Sequence, residues 1–221
     1  MRPIRRLNKI RKLVRHLDQG YSWLRSVDCQ RPFGPDGEPV PWIVYGAYRF
    51  LASFEWSGAR IGECGGGWST LWWLDRGARV ECVEADSRWA DEIERMAAPH
   101  SERLVLHRAE NESDIADRVA EFSSRVDVLV VDGEFRTRCA EVAAESLRSE
   151  AIAIVDNSDW YHDAVEAFRR KNRFEIPFEG LGPCTDIFTR TSVLVDSMDW
   201  IRSRPRRSLG STPAGRAHVL R

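Results

Sequence analysis

From residue 59 onward, short apolar segments alternate with amphipathic ones, and no other feature of the chain limits its fold so tightly. Segments 59–63, 79–84, 103–107, 126–131 and 151–155 read as strands. They are short and mostly rich in β-branched residues, as strands buried on both faces are. Between and after them, 69–76, 87–98, 113–123, 137–148 and 161–172 read as helices. This alternation specifies an α/β domain with a mainly parallel sheet. After the last helix it stops. Phe174–Phe178 and Thr191–Val195 are strand candidates with no helix between them, so an antiparallel pair should close the sheet.

The ends of the chain are different. Residues 4–19 read as a basic amphipathic helix, with Ile4, Leu7, Ile10, Val14 and Leu17 at three- and four-residue steps and Gly20 ending the run. Such a helix either packs on its own domain or makes weak contact with a membrane surface or partner; packing on the domain is the expectation. Residues 31–41 are dense in Pro and Gly and read as a linker, and a helix is expected over 41–51 with Pro41 in its first turn. The tail from Ser203 is rich in Arg, Ser, Pro and Gly and reads as disordered. The expected division is a basic helix and linker at 1–41, a catalytic domain at 42–200 and a basic tail at 201–221.

Charge follows the same division. Residues 1–16 hold seven basic groups and 200–221 hold six, neither with an acid. Removing these 13 from the chain's 33 leaves 20 basic against 34 acidic residues, a net of −14 on the body. An acidic body repels a nucleic-acid backbone, so no nucleic-acid partner is expected. The longest clean apolar runs, such as Ala151 to Val155, are far shorter than the roughly 20 residues of a membrane span. The N-terminus has no apolar stretch of the secretory kind. Five cysteines, an odd number without C-x-x-C spacing, read as reduced thiols rather than a disulfide framework or zinc site. A cytoplasmic protein is expected.

In an open α/β sheet, ligands bind beyond the carboxyl ends of the strands. The first strand runs into Glu63-Cys64-Gly65-Gly66-Gly67-Trp68-Ser69-Thr70. Its glycines allow close backbone approach, and Ser69 or Thr70 can cap the next helix. The second strand ends in Glu84, whose carboxylate can accept bonds from both hydroxyls of a ribose. A dinucleotide fingerprint starting at Gly65 and Gly67 would need glycine at 70, where Thr70 stands. Glu63 would oppose a pyrophosphate and suit a ligand carrying an ammonium group.

With these residues the chain resembles the class I S-adenosylmethionine-dependent methyltransferases, in particular a bacterial group whose first loop reads E-x-G-x-G-x-S-T. The resemblance covers about residues 42–197. It implies a Rossmann-like, mostly parallel seven-stranded sheet with a terminal antiparallel pair, here behind an N-terminal helical extension. It implies S-adenosylmethionine held by Glu63, Gly65 and Gly67 at its methionine end, by Glu84 at the ribose and by Glu110 near the adenine. A small-molecule acceptor, methylated at oxygen, is expected.

Two further strand ends carry oxygen ligands. Asp132, Asp156 and Asn157 offer two carboxylates and a carbonyl, a set suited to a hard cation such as Mg²⁺. The pattern is similar to the metal site of the catechol-type O-methyltransferases, where the metal lowers the pKa of the acceptor hydroxyls. The lysine base of that subfamily is replaced here by Phe135, and the following Arg136 is not a base at ordinary pH. Asp132 and His162 are the candidate catalytic groups, with Glu134 as a further substitute base. Without metal, Asp132 would line the pocket alone and Asp156-Asn157 would cap the following helix. Nine tryptophans are present. Trp68 is expected to line the pocket, Trp160, Trp42 and Tyr45 to lie near or over it, and Trp72 and Trp73 to pack a buried helix. The competing functions are an NAD-dependent oxidoreductase and a non-catalytic interaction protein on the same fold.

Overall fold

A computed structural model describes residues 2–207. Helices α1 (Arg2–Tyr21) and α2 (Trp23–Cys29) precede α3 (Tyr45–Ala52). The alternation then runs β1 (Arg60–Cys64), α4 (Trp68–Asp75), β2 (Arg79–Glu84), α5 (Ser87–Met96), β3 (Leu104–Arg108), α6 (Glu112–Ser123), β4 (Val128–Val131), α7 (Arg136–Ser146), β5 (Ile152–Asp156) and α8 (His162–Arg169). Strands β6 (Phe174–Gly180) and β7 (Thr189–Val195) and the short α9 (Asp199–Ser203) complete it. A 3₁₀ segment, Ala98–Arg103, lies between α5 and β3.

The strand order is β3-β2-β1-β4-β5-β7-β6. Strands β1 to β5 pair in parallel, and β7 runs antiparallel to both β5 and β6. This is the expected Rossmann-like sheet of the class I methyltransferase fold, with its antiparallel end and an N-terminal helical extension. Because side chains alternate along a strand, Val128 and Val130 of β4 join one core and Leu129 and Val131 the other. The first core holds Trp56, Trp72 and Trp73, with Trp72 and Trp73 centroids 4.5 Å apart, so these two indoles are packing residues as expected. The second holds Phe122 and Phe168 from α6 and α8. Asp86 caps α5 through the N–H groups of Arg88 and Trp89, and Asn111 caps α6 through Asp114.

Three sequence expectations change. Helix α3 starts at Tyr45 rather than 41; the Val44 N–H goes to Thr191 Oγ1 and the Tyr45 N–H to the Leu181 carbonyl. Residues 204–207 pack against the domain instead of forming the start of a disordered tail: the Arg204 guanidinium lies over Trp56 and Trp200, Arg206 lies over Phe54, and the Arg207 N–H donates to the Ser53 carbonyl. The rest of that tail, 208–221, lies outside the described residues. The apolar stripe of α1 is covered only in part: Ile4, Leu7 and Ile10 are exposed, as is the neighbouring Leu13, while Val14 and Leu17 are half-buried. No described helix is long and apolar enough to cross a membrane.

Candidate functional site

The strand order reverses between β1 and β4, and the loops leaving these strands part there to form a crevice. Backbone meets backbone at the base of this crevice. A Cβ on Gly65, whose φ is +83°, would fall 2.4 Å from the Gly133 Cα. The first glycine thus lets two loops touch, and it does not line the cavity above them.

Above this contact is a cavity of about 560 Å³, within the usual range for small-ligand sites. Gly66 to Ser69, Trp89, Asp132, Arg136, Asp156, Asn157, Trp160 and the segment Trp42–Val44 line it, with parts of the 182–189 loop. Four indoles therefore surround two carboxyl groups. Of the residues expected at the site, the fold brings together Gly67, Trp68, Asp132, Asp156 and Asn157, and also Trp42 and Trp160. Tyr45 is buried and stacks on Tyr21. His162 and Glu134 are exposed and outside the cavity wall, His162 because it opens α8 on its solvent side. Glu110 is exposed and accepts a bond from Ser87 Oγ.

Glu84 backs the glycine loop: its Oε2 accepts the Gly66 N–H at 3.0 Å and its Oε1 the Asp86 N–H at 2.9 Å. Each oxygen keeps a second acceptor site. Trp89, which the sequence reading did not single out, donates its indole N–H to the Gly66 carbonyl at 2.9 Å and lies against Gly67. The signal for it was its place in the first turn after the strand-end acid, on the side of the glycine loop.

Glu63 is fully buried under the loop. The Gly67 N–H donates to Thr70 Oγ1, which donates to Glu63 Oε2 at 2.5 Å. Glu63 Oε1 has no hydrogen-bond partner among the described residues. Burial pushes the Glu63 carboxyl up to about 7; Thr70, Ser69 and Trp73 pull it down, and the Glu84 charge adds to the rise. A raised carboxyl has a definite consequence for stability. Below about pH 4.5 both folded and unfolded chains hold this proton. Between that value and about 7 only the folded chain does, so folding weakens as pH rises and levels off above it. A Glu63→Gln variant should match the parent at pH 4 and be more stable by about 3 kcal/mol at pH 8, as measured by urea denaturation.

Arg136 organises the remaining wall. Its Nε donates to the Gly133 carbonyl, Nη1 to the Asp156 carbonyl and Asn157 Oδ1, and Nη2 to the Asp132 carbonyl, at 2.8–3.0 Å. Nη2 also pairs with Asp132 Oδ1 at 2.9 Å. Four hydrogen bonds and one ion pair thereby fix the guanidinium. Asp156 Oδ1 accepts from Thr191 Oγ1 at 2.5 Å. Burial raises both Asp132 and Asp156 above the ordinary aspartate range, Asp156 further because the Asp132 charge opposes its ionisation; Arg136 pulls both back.

The expected metal trio does not fit a divalent cation. A chain guanidinium already holds Asp132 and Asn157, and Asp156 is held by Thr191. A second positive charge placed among them would oppose Arg136 directly. Residue types at strand ends suggested a metal; the cation between them is an arginine.

No protein-family model matches this sequence, and no curated protein does. Among solved structures the chain is similar to cofactor-bound Rv0187 from MTB, at 18% identity and TM-score 0.54, covering 83% of this chain and 95% of that one. It is also similar to precorrin 8W decarboxylase from Methanobacterium thermoautotrophicum, at 16% identity and TM-score 0.53, covering 75% and 96%. Spermidine synthase from Thermotoga maritima matches at 13% identity and TM-score 0.53, covering 72% of this chain and 62% of that one. At these identities the likeness is one of fold, and the names alone span different chemistries.

Proposed function

We propose that this protein is a cytoplasmic S-adenosylmethionine-dependent methyltransferase, with residues 42–200 as its catalytic domain and a small-molecule acceptor methylated at oxygen. The observation that carries this reading is the cavity at the carboxyl edge, where four indoles and the Asp132 carboxylate surround one space beside the glycine loop. Aromatic faces and a carboxylate attract a cation, and a sulfonium is one. Glu63 Oε1, lacking a donor but buried beneath the glycine loop and not on the cavity wall, would meet the ammonium end of the same ligand once that loop shifts. The second acceptor sites of Glu84 suit its ribose hydroxyls.

Bound S-adenosylmethionine would supply an electrophilic methyl group. The chain has to place the acceptor oxygen in line with it and remove the proton. Asp132 is the residue for that step. It faces the cavity, and Arg136 stabilises its charged form without being able to act as a base.

One observation favours a second reading. Glu84 and Trp89 both bind Gly66, which holds the loop against the chain's own side chains. In a methyltransferase-fold protein that catalyses nothing, this closed loop would be permanent. Differential thermal unfolding separates the readings. S-adenosylmethionine and S-adenosylhomocysteine at about 100 times their Kd should each stabilise the protein by about 2.7 kcal/mol, while NAD leaves it unchanged. A response to NAD alone would make it an oxidoreductase. Silence to all three would leave the interaction protein.

A further inference from the structure

Helix α1 carries a surface that the rest of the fold does not use. Ile4, Leu7, Ile10 and Leu13 are 69, 47, 52 and 60% exposed. At 100° per residue, Leu7, Ile10, Val14 and Leu17 share an arc of about 80°, exposed at Leu7 and Ile10 and half-buried at Val14 and Leu17, with Ile4 and Leu13 flanking it, while Arg5, Lys9 and Lys12 lie on the opposite side. Arg6 and Arg11 border the apolar arc. The helix is fixed at its other end. Tyr21 stacks on Tyr45 with centroids 4.0 Å apart, and the Trp23 indole donates to the Thr185 carbonyl at 3.0 Å. Thr185 belongs to the cavity wall, so the root of α1 is attached to the rim of the candidate site. On the same rim Trp42, Trp160 and Ile187 are exposed, as is the adjoining Phe188.

We propose that α1 is an interfacial helix that docks this protein on an anionic lipid bilayer. Its apolar arc enters the boundary between headgroups and acyl chains, and its Arg and Lys side chains meet the lipid phosphates. Charge complementarity selects this occupant, since residues 1–16 hold seven basic groups and no acid. A nucleic acid would meet the basic groups but leave the apolar arc in water, whereas a bilayer takes up both. Pairing with α1 of a second copy would set Arg6 and Arg11 against like charges at the seam. Exposed indoles on the cavity rim suit the same boundary, where Trp is enriched. The docking surface stands whether or not the cavity performs methyl transfer.

The test is co-sedimentation of the full chain with phosphatidylcholine vesicles, with and without phosphatidylglycerol, at low and high salt. The protein should pellet with the phosphatidylglycerol vesicles at least about tenfold more strongly than with the neutral ones, and salt should weaken it. A Lys9→Glu/Lys12→Glu double variant and a Leu7→Gln/Ile10→Gln double variant should each lose about tenfold or more. All four positions are exposed, and circular dichroism checks that the fold is kept. Equal binding to both vesicle types, or full binding by the Leu7→Gln/Ile10→Gln variant, would overturn the proposal. So would tighter binding to duplex DNA than to the anionic vesicles. Sedimentation velocity without lipid completes the test: a dimer abolished by the Leu7→Gln/Ile10→Gln variant would assign the helix to a second copy of the chain instead.

Discussion

An Asp132→Asn variant is expected to lose about 10²–10⁴ in kcat, the range a positioned general base contributes, while S-adenosylmethionine binding weakens far less because the four indoles remain around the sulfonium. The expectation rests on what else the cavity offers. The Arg136 guanidinium is donor-only and has no atom to accept a proton. His162 and Glu134 stand outside the wall. Asp156 is turned to Thr191 and, with the Asp132 charge opposing its ionisation, is the carboxyl that keeps its proton. Asp132 is left as the group that accepts one. Burial raises its pKa above the ordinary aspartate range, so the rate should rise with pH along an acid limb displaced upward from that range. The limb should vanish in the variant. An acceptor found by screening with labelled cofactor supplies the assay. Excess EDTA should leave the parent's rate unchanged, since the place a cation would take is filled by a guanidinium. A variant with an unaltered rate and pH profile would remove Asp132 from the chemistry and leave the acceptor to ionise in water.

How far the sequence reached is seen by comparing Glu84 with Arg136. The strand ends were legible because β-branched runs and their terminal acids announce themselves locally, and β2 spans 79–84 just as its pattern indicates. The sheet followed from the alternation. Local pattern does not encode which partner a side chain meets across the crevice. Gly65 reads as a ligand-binding glycine, yet its neighbour is Gly133, 68 positions away. Trp89 sits in an ordinary helical turn, and only the folded approach of α5 to the glycine loop gives its indole a role. The stripe on α1 was visible, but periodicity is the same whether a stripe is covered by the domain or left for a surface. The oxygens of Asp132, Asp156 and Asn157 were rightly read as converging on one place. What occupies their centre depends on the start of α7, where Phe135 adopts a left-handed φ of +54° and the chain turns into Arg136.

That turn makes Arg136→Met the variant with the largest expected cost in stability, about 3–5 kcal/mol, out of a total of roughly 5–15 kcal/mol for a domain. Arg136 is 13% exposed at its side chain. Losing it leaves the Asp132 carboxylate unpaired in a partly buried site and removes donors from the carbonyls of Asp132, Gly133 and Asp156. It also releases two backbone positions. Phe135 and Asn157 both hold positive φ, +54° and +49°, conformations that non-glycine residues keep only when their surroundings enforce them. The guanidinium spans these two turns, binding Asn157 Oδ1 on one side and Gly133 on the other. Arg136→Lys separates the contributions of charge and shape. An ammonium restores a positive charge beside Asp132 but has three donors on one atom, so it cannot reach both strand ends as the planar fork does. The lysine variant should therefore recover only part of the loss in urea midpoint. It should still fail to hold Asn157, with proteolysis or hydrogen exchange rising first at 133–136 and 156–160. If Arg136→Met unfolds at the parent's midpoint, the guanidinium is not what joins β4 to β5. The Asp132 charge would then be balanced by solvent alone.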